Sequence, residues 1–128
     1  AIGEVDEELQ KIYHIVKQAN ENAIDVIKPG ISGSEVDRVA REYITEHGYG
    51  EAYNHSTGHG VGLDIHEGPA LSARSSDEMQ AGHLLTIEPG IYLAGKGGVR
   101  IEDDVIVTPT GYENLTASLP KDLLVIEA

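Results

Sequence analysis

Between Val5 and Lys28, apolar residues return at steps of three and four: Leu9, Ile12, Val16, Ala19, Ala23 and Ile27, with charged and amide side chains between them. A helix with 3.6 residues per turn carries those positions on one face, so the spacing predicts an amphipathic α-helix buried along that stripe. Asp6, Glu7 and Glu8 fall in its first turn, where the helix dipole favours negative charge, and Pro29-Gly30 stops it. A second stripe, Val36, Val39, Ala40, Tyr43 and Ile44, predicts a second helix. Ser34 is its expected N-cap, with Asp37 three residues on in the place of a capping-box acid, and Gly48 after His47 is its stop. Beyond Gly50 the pattern changes to short β-prone runs punctuated by glycine, at roughly 55–61, 84–88, 90–93, 99–101 and 104–108. Two helices followed by such strands predict an α+β domain in which the helices cover one face of an antiparallel sheet. No internal repeat, low-complexity tract or linker breaks the chain.

At 128 residues this is one domain or part of one, long enough to bury most of its apolar surface. Nine basic against twenty-two acidic residues, net −13, would repel phosphate backbones and anionic lipid, so nucleic acid and membrane surfaces are excluded as partners. The absence of cysteine removes disulfides and thiolate metal sites and fits a reducing compartment. No apolar run approaches the ~18 residues of a membrane span, and no signal peptide is visible, so the expected location is the cytoplasm. The chain opens on Ala1 rather than methionine, and the expectation is a segment of something longer.

The chemistry concentrates between His55 and Glu102. His55, His59 and His66 are interleaved with Gly58, Gly60, Gly62 and Gly68, a pattern that core filling does not explain and that predicts something seated close to the backbone. His55 and His59 stand at i and i+4, yet this is not the helical zinc-protease pattern. Glycines cost roughly 1 kcal/mol each inside a helix, and no glutamate follows His55. Downstream, Glu88 in Thr86-Ile87-Glu88-Pro89-Gly90 and Glu102 in Gly98-Val99-Arg100-Ile101-Glu102 are acids among apolar, β-prone neighbours. An unpaired buried charge costs several kcal/mol, so each such acid wants a cation or a donor beside it. Imidazole with two carboxylates and no thiolate suits Mn²⁺ or Co²⁺, or Zn²⁺ in an oxygen-rich site. Blander readings stand beside this one: histidines satisfied by carbonyls, Glu88 facing water at a strand end, and Glu102 paired with Arg100.

The runs TGHGVGLDIHEGP (57–69), IEPG (87–90) and GVRIEDDV (98–105) resemble those of the pita-bread-fold metallopeptidases, the creatinase, aminopeptidase P and prolidase superfamily. The likeness is to the Xaa-Pro aminopeptidase and Xaa-Pro dipeptidase branch, and it extends from about residue 1 to the C-terminus. It implies the C-terminal half of that fold, two helices packed on an antiparallel sheet. It also implies a centre of two divalent cations, Mn²⁺ first with Co²⁺ or Zn²⁺ as alternatives, held by two aspartates, one histidine and two glutamates. On this sequence the ligands fall on His59, Glu88 and Glu102. The N-terminal domain and the hairpin bearing the aspartates are expected to lie outside residues 1–128.

The implied activity is hydrolysis of the peptide bond before proline by a hydroxide activated between the metals, with Glu88 passing the proton to the leaving nitrogen. His66 and His55 would donate to the substrate carbonyl, and Arg100 would orient Glu102 or touch substrate. The implied partners are a peptide with proline in second position and, for the full-length enzyme, a second copy as a homodimer. Residues 1–128 alone are expected to be inactive. Alternatives are a methionine aminopeptidase, a creatinase-type hydrolase without metal, and a non-catalytic peptide- or protein-binding module. Asp103 and Asp104 are expected in solvent or a turn, Glu67 in a supporting place, and His14, His47 and His83 outside the chemistry.

Overall fold

The computed structural model describes residues 1–128. The first helix, α1, spans Glu7–Asp25 and is capped by Asp6, whose carboxylate accepts from the backbone N–H groups of Glu8 and Leu9. Asp6 therefore stands one position outside the first turn, satisfying amides that no helical carbonyl can reach. The buried face holds Ile12, Ile15, Val16, Ala19, Ala23 and Ile24, close to the expected stripe, while Leu9 is only partly covered. The helix ends three residues short of Lys28, since proline at 29 disfavours helical geometry in the residue before it.

The second helix, α2, spans Gly33–Glu46, and its cap is Ser32, two residues before the expected Ser34. Ser32 Oγ accepts from the Glu35 N–H, and the Glu35 carboxylate accepts from the Ser32 N–H, a full capping box. Glutamate reaches back across that turn without strain. Asp37, the expected box acid, instead lies two residues further along the helix and is buried. His47 closes the helix, as the sequence suggests, with its ring Nδ1 against the Tyr43 carbonyl at 2.8 Å.

Seven strands follow: β1 (Gly58–Gly60), β2 (Glu67–Leu71), β3 (Leu84–Ile87), β4 (Gly90–Leu93), β5 (Gly97–Arg100), β6 (Asp103–Thr108) and β7 (Gly111–Asn114). Five form an antiparallel sheet in the order β2-β1-β3-β6-β7, and β4 and β5 make a separate hairpin. The expectation of helices on an antiparallel sheet holds. The two unexpected strands both lie at sheet edges. β2 contains Gly68-Pro69, which reads as a turn, yet an edge strand has one side on which a missing N–H costs nothing. In β6, Asp103, Val105 and Val107 point inward, and Val105 sits opposite Leu85 on β3. Leu85, Val105 and Val107 meet Ile12, Val16, Val36, Ala40 and Ile44 from the helices in one hydrophobic cluster. No helix is long and apolar enough to cross a membrane.

The glycines flanking His59 answer to the sheet, and the expectation that something sits close to this backbone is met by the neighbouring strands. A Cβ at Gly58 would run into the Thr86 carbonyl, and one at Gly60 into the Gly68 carbonyl. The neighbouring strands themselves occupy that space. Gly60→Ala is therefore expected to lower stability by about 1–3 kcal/mol, the usual cost of overpacking, measured by denaturant unfolding; an unchanged midpoint would contradict the contact.

Candidate metal centre

Strand β1 carries His59, Glu88 follows directly on β3, and the two-residue link between β5 and β6 carries Glu102. Two contacts place the histidine: its N–H donates to Thr86 Oγ1 at 3.1 Å, and its ring Nδ1 lies 2.8 Å from the Gly60 carbonyl oxygen. A carbonyl only accepts, so Nδ1 bears a hydrogen and Nε2 is the ring nitrogen left on the other side. That nitrogen faces Glu88 Oε2 at 3.6 Å, beyond a hydrogen bond. The Glu88 N–H donates to the carbonyl of Thr57, the residue before β1, at 2.7 Å.

Glu102 stands beside Glu88. Its carboxyl is held above the usual range, first by partial burial and then by the negative charge of Glu88, with Arg100 pulling the other way. Its side chain is 42% exposed, so the expectation of an acid enclosed in an apolar strand fits Glu88 and not Glu102, which a turn carries outward. Arg100 Nη2 is 3.9 Å from Glu102 Oε2, near enough to orient it and too far for a firm bond. The three groups converge pairwise, and no set of three His, Asp or Glu side chains closes around one point by itself. An imidazole nitrogen and two neighbouring carboxylates nonetheless make up the kind of donor set that suits a divalent cation.

The other two histidines differ. His66 lies exposed in the loop after β1, its ring edge-on to that of His59 with centroids 4.8 Å apart. His55 is engaged at both nitrogens, by the Ser56 carbonyl and by the Tyr92 hydroxyl, each at 2.8 Å. Its ring hydrogen is spent on the carbonyl, so Tyr92 donates to Nε2 and the ring is held rather than free. Glu67 accepts from the Asp64 N–H and shapes the His66 loop. His14 is exposed on α1, and His83 takes the Gln80 N–H in a turn.

Two acids depart from their expected places. Asp103 and Asp104 lie in β6 rather than in solvent or a turn. Asp103 is 2% exposed, with Oδ1 accepting from Thr116 Oγ1 at 2.6 Å and Oδ2 2.7 Å from Lys121 Nζ. Burial pushes this carboxyl up, but Lys121 and Thr116 outweigh it and hold it below the ordinary range. Asp104 is partly buried, its N–H donating to Thr116 Oγ1. In both cases the segment after β7 supplies partners that no local pattern announces.

A further polar cluster, absent from the sequence-based expectations, fixes the approach to the site. Asp37 on α2 binds Arg41 in a two-point pair at 2.8 and 2.9 Å. It also accepts from the Thr57 N–H and hydroxyl at 3.2 and 2.9 Å. Arg41 in turn donates to the carbonyls of Tyr53 and His55, both at 2.9 Å. The buried Tyr53 hydroxyl, its titration pushed far up by burial, meets Thr57 Oγ1. Helix α2 thus grips residues 53–57, the lead into β1. The signal available in sequence was an acid and an arginine at i, i+4 on the inward side of α2.

A model of the metallopeptidase family M24 matches residues 1–109. The uncharacterized peptidase YqhT of Bacillus subtilis is 44% identical over 126 residues, which are 98% of this chain and 35% of that protein. Among solved structures, an Xaa-Pro dipeptidase from Bacillus anthracis superposes with a TM-score of 0.94 at 52% identity, over 98% of this chain and 35% of its own. An X-Pro aminopeptidase from Thermotoga maritima gives 0.92 at 47% identity, over 98% and 36%. The chain spans about a third of the length of the curated relatives it matches.

Proposed function

From the premise that the chain belongs to metallopeptidase family M24 and has its pita-bread arrangement of two helices on an antiparallel sheet, we propose that it serves a metal-dependent exopeptidase cutting the bond before proline. The observation that carries this reading is the meeting of His59 Nε2 with Glu88 Oε2 at 3.6 Å and of Glu88 with the Glu102 carboxyl beside it. These three would hold divalent cations, with further ligands from outside residues 1–128 completing a two-metal set. Mn²⁺ suits this oxygen-rich donor set, with Co²⁺ and Zn²⁺ as alternatives. Bound there, the cations supply Lewis acidity that polarises the scissile carbonyl and lowers the pKa of an attacking water.

Glu88, against His59 and anchored through its N–H to Thr57, takes a proton from the attacking water and returns it to the leaving nitrogen. His66, exposed beside His59, donates to the carbonyl oxygen as charge develops on it. His55, held by Tyr92, borders the substrate, and Arg100 keeps Glu102 turned toward Glu88. The choice of an Xaa-Pro substrate is supported by the likeness to the Xaa-Pro dipeptidase of B. anthracis and the X-Pro aminopeptidase of T. maritima. A homodimer in the cytoplasm belongs to the same reading.

The test uses the full-length protein stripped of metal and then given Mn²⁺, Co²⁺ or Zn²⁺, assayed on Ala-Pro and Met-Ala substrates. Turnover of Ala-Pro that appears only with added metal is expected, and residues 1–128 alone should turn over neither substrate. Undiminished activity without metal, or preference for Met-Ala, would contradict the proposal.

A further inference from the structure

Asn20 sits in the middle of α1 with 0% exposure, on the face otherwise given to Ile12, Val16, Ala19 and Ala23. A fully buried amide in an aliphatic stripe must find partners for its hydrogens and its oxygen. Its Nδ2 donates to the carbonyls of Ile87 at 3.0 Å and Ile101 at 3.3 Å. Its Oδ1 accepts from Lys121 Nζ at 2.8 Å. Two carbonyls on one side and an ammonium on the other leave a single way to orient the amide.

Those carbonyls belong to the residues immediately before Glu88 and Glu102. The peptide plane between Ile87 and Glu88 is held at both ends, its carbonyl by Asn20 and its N–H by the Thr57 carbonyl. The chain leading into Glu102 is held likewise, with the Ile101 N–H on the Pro89 carbonyl and the Ile101 carbonyl on Asn20. One side chain thus ties together the backbones from which both carboxylates spring. Lys121 braces it from the C-terminal segment, where Asp103 takes the ammonium at 2.7 Å and Tyr13 donates to the Lys121 carbonyl at 3.0 Å.

We propose that Asn20 is a positioning residue of the metal centre: by bonding the Ile87 and Ile101 carbonyls together it sets the spacing of the Glu88 and Glu102 carboxylates, and with it their shared grip on a divalent cation. The inference rests on the metal-centre reading above. Loss of the amide frees the end of β3 and the β5–β6 turn to separate, which acts on the two carboxylates before it acts on the hydrophobic core.

The experiment compares wild type, Asn20→Ala, Asn20→Asp and His59→Ala in the full-length protein, with Co²⁺ alone as the probe. Asn20→Asp keeps the size and the Lys121 contact but sets a carboxylate against two carbonyl oxygens, so it decides the matter where the alanine variant does not fold. Unfolding temperatures of the metal-free proteins are recorded first. Co²⁺ affinity, its visible absorption bands, and kcat and KM on Ala-Pro are then read well below them. The expected result is Co²⁺ affinity weakened about 10–100-fold, shifted bands, and kcat lowered with KM near wild type. Unfolding temperature lowered alone, with affinity, bands and kcat unchanged, would make Asn20 a packing residue and overturn the inference. If His59→Ala loses Co²⁺ while both Asn20 variants keep it, only this inference falls. If wild type takes up no Co²⁺, or His59→Ala binds it equally well, the metal centre falls and this inference with it.

Discussion

Glu102→Ala and His59→Ala, each in the full-length protein, are expected to lose stoichiometric metal together with turnover of Ala-Pro. Each substitution takes one donor from a set in which His59 faces Glu88 and Glu88 adjoins Glu102. Losing the charge stabilisation that a bound cation supplies, several kcal/mol, corresponds to a rate lower by on the order of 10³-fold or more. A second consequence separates metal loss from misfolding. In the metal-free protein Glu102 is crowded by burial and by Glu88, so its removal relieves repulsion. The metal-free Glu102→Ala protein should therefore unfold no earlier than metal-free wild type, while added metal should stabilise wild type alone, since only it binds the ion in the native state. Elemental analysis and thermal unfolding with and without Mn²⁺ measure this. A variant that keeps a full complement of metal would remove its residue from the ligand set.

The second large effect is expected at Asp37, away from the metal. Asp37→Ala leaves the Arg41 guanidinium without its counter-ion and the buried Thr57 N–H without its acceptor, with the Thr57 hydroxyl reduced to its contact with Tyr53. Breaking one side of a buried pair costs roughly 3–5 kcal/mol. The Arg41 side chain is 30% exposed and can turn partly to water, which places the loss toward the lower end. Asp37→Asn keeps an acceptor for Thr57 and loses the charge, so it should fall between alanine and wild type. Because Asp37 and Arg41 hold residues 53–57, activity should fall with stability rather than with metal affinity. A loss below about 1 kcal/mol for Asp37→Ala on denaturant unfolding would show that the cluster carries little of the fold.

What could be read in the sequence was whatever repeats or is contiguous. The helices announced themselves through stripes such as Ile12, Val16, Ala19 and Ala23, and the metal-site candidates through short runs around His59, Glu88 and Glu102. What stayed hidden depends on partners distant along the chain. Asn20 bonds residues 67 and 81 positions away, and Asp37 bonds Thr57, 20 positions on. In a stripe, Asn20 reads as a polar interruption; in space it joins two strand ends. Asp103 next to Asp104 looks like a charged turn until Lys121 and Thr116 fold over it. Ser32 displaced Ser34 as the cap because Glu35, rather than Asp37, completes the box. The glycines around His59 were legible as a demand for close approach, but only the register of β1 against β2 and β3 shows that carbonyls of the neighbouring strands make it.

The proposed activity stands on one imidazole and two carboxylates sharing a cation. Anomalous X-ray diffraction from Mn²⁺-loaded crystals of the full-length protein tests it most directly. Manganese peaks are expected within coordination distance of His59 Nε2 and of the Glu88 and Glu102 carboxylates. Manganese bound elsewhere, or a well-ordered site in which these three side chains touch no ion, would contradict it.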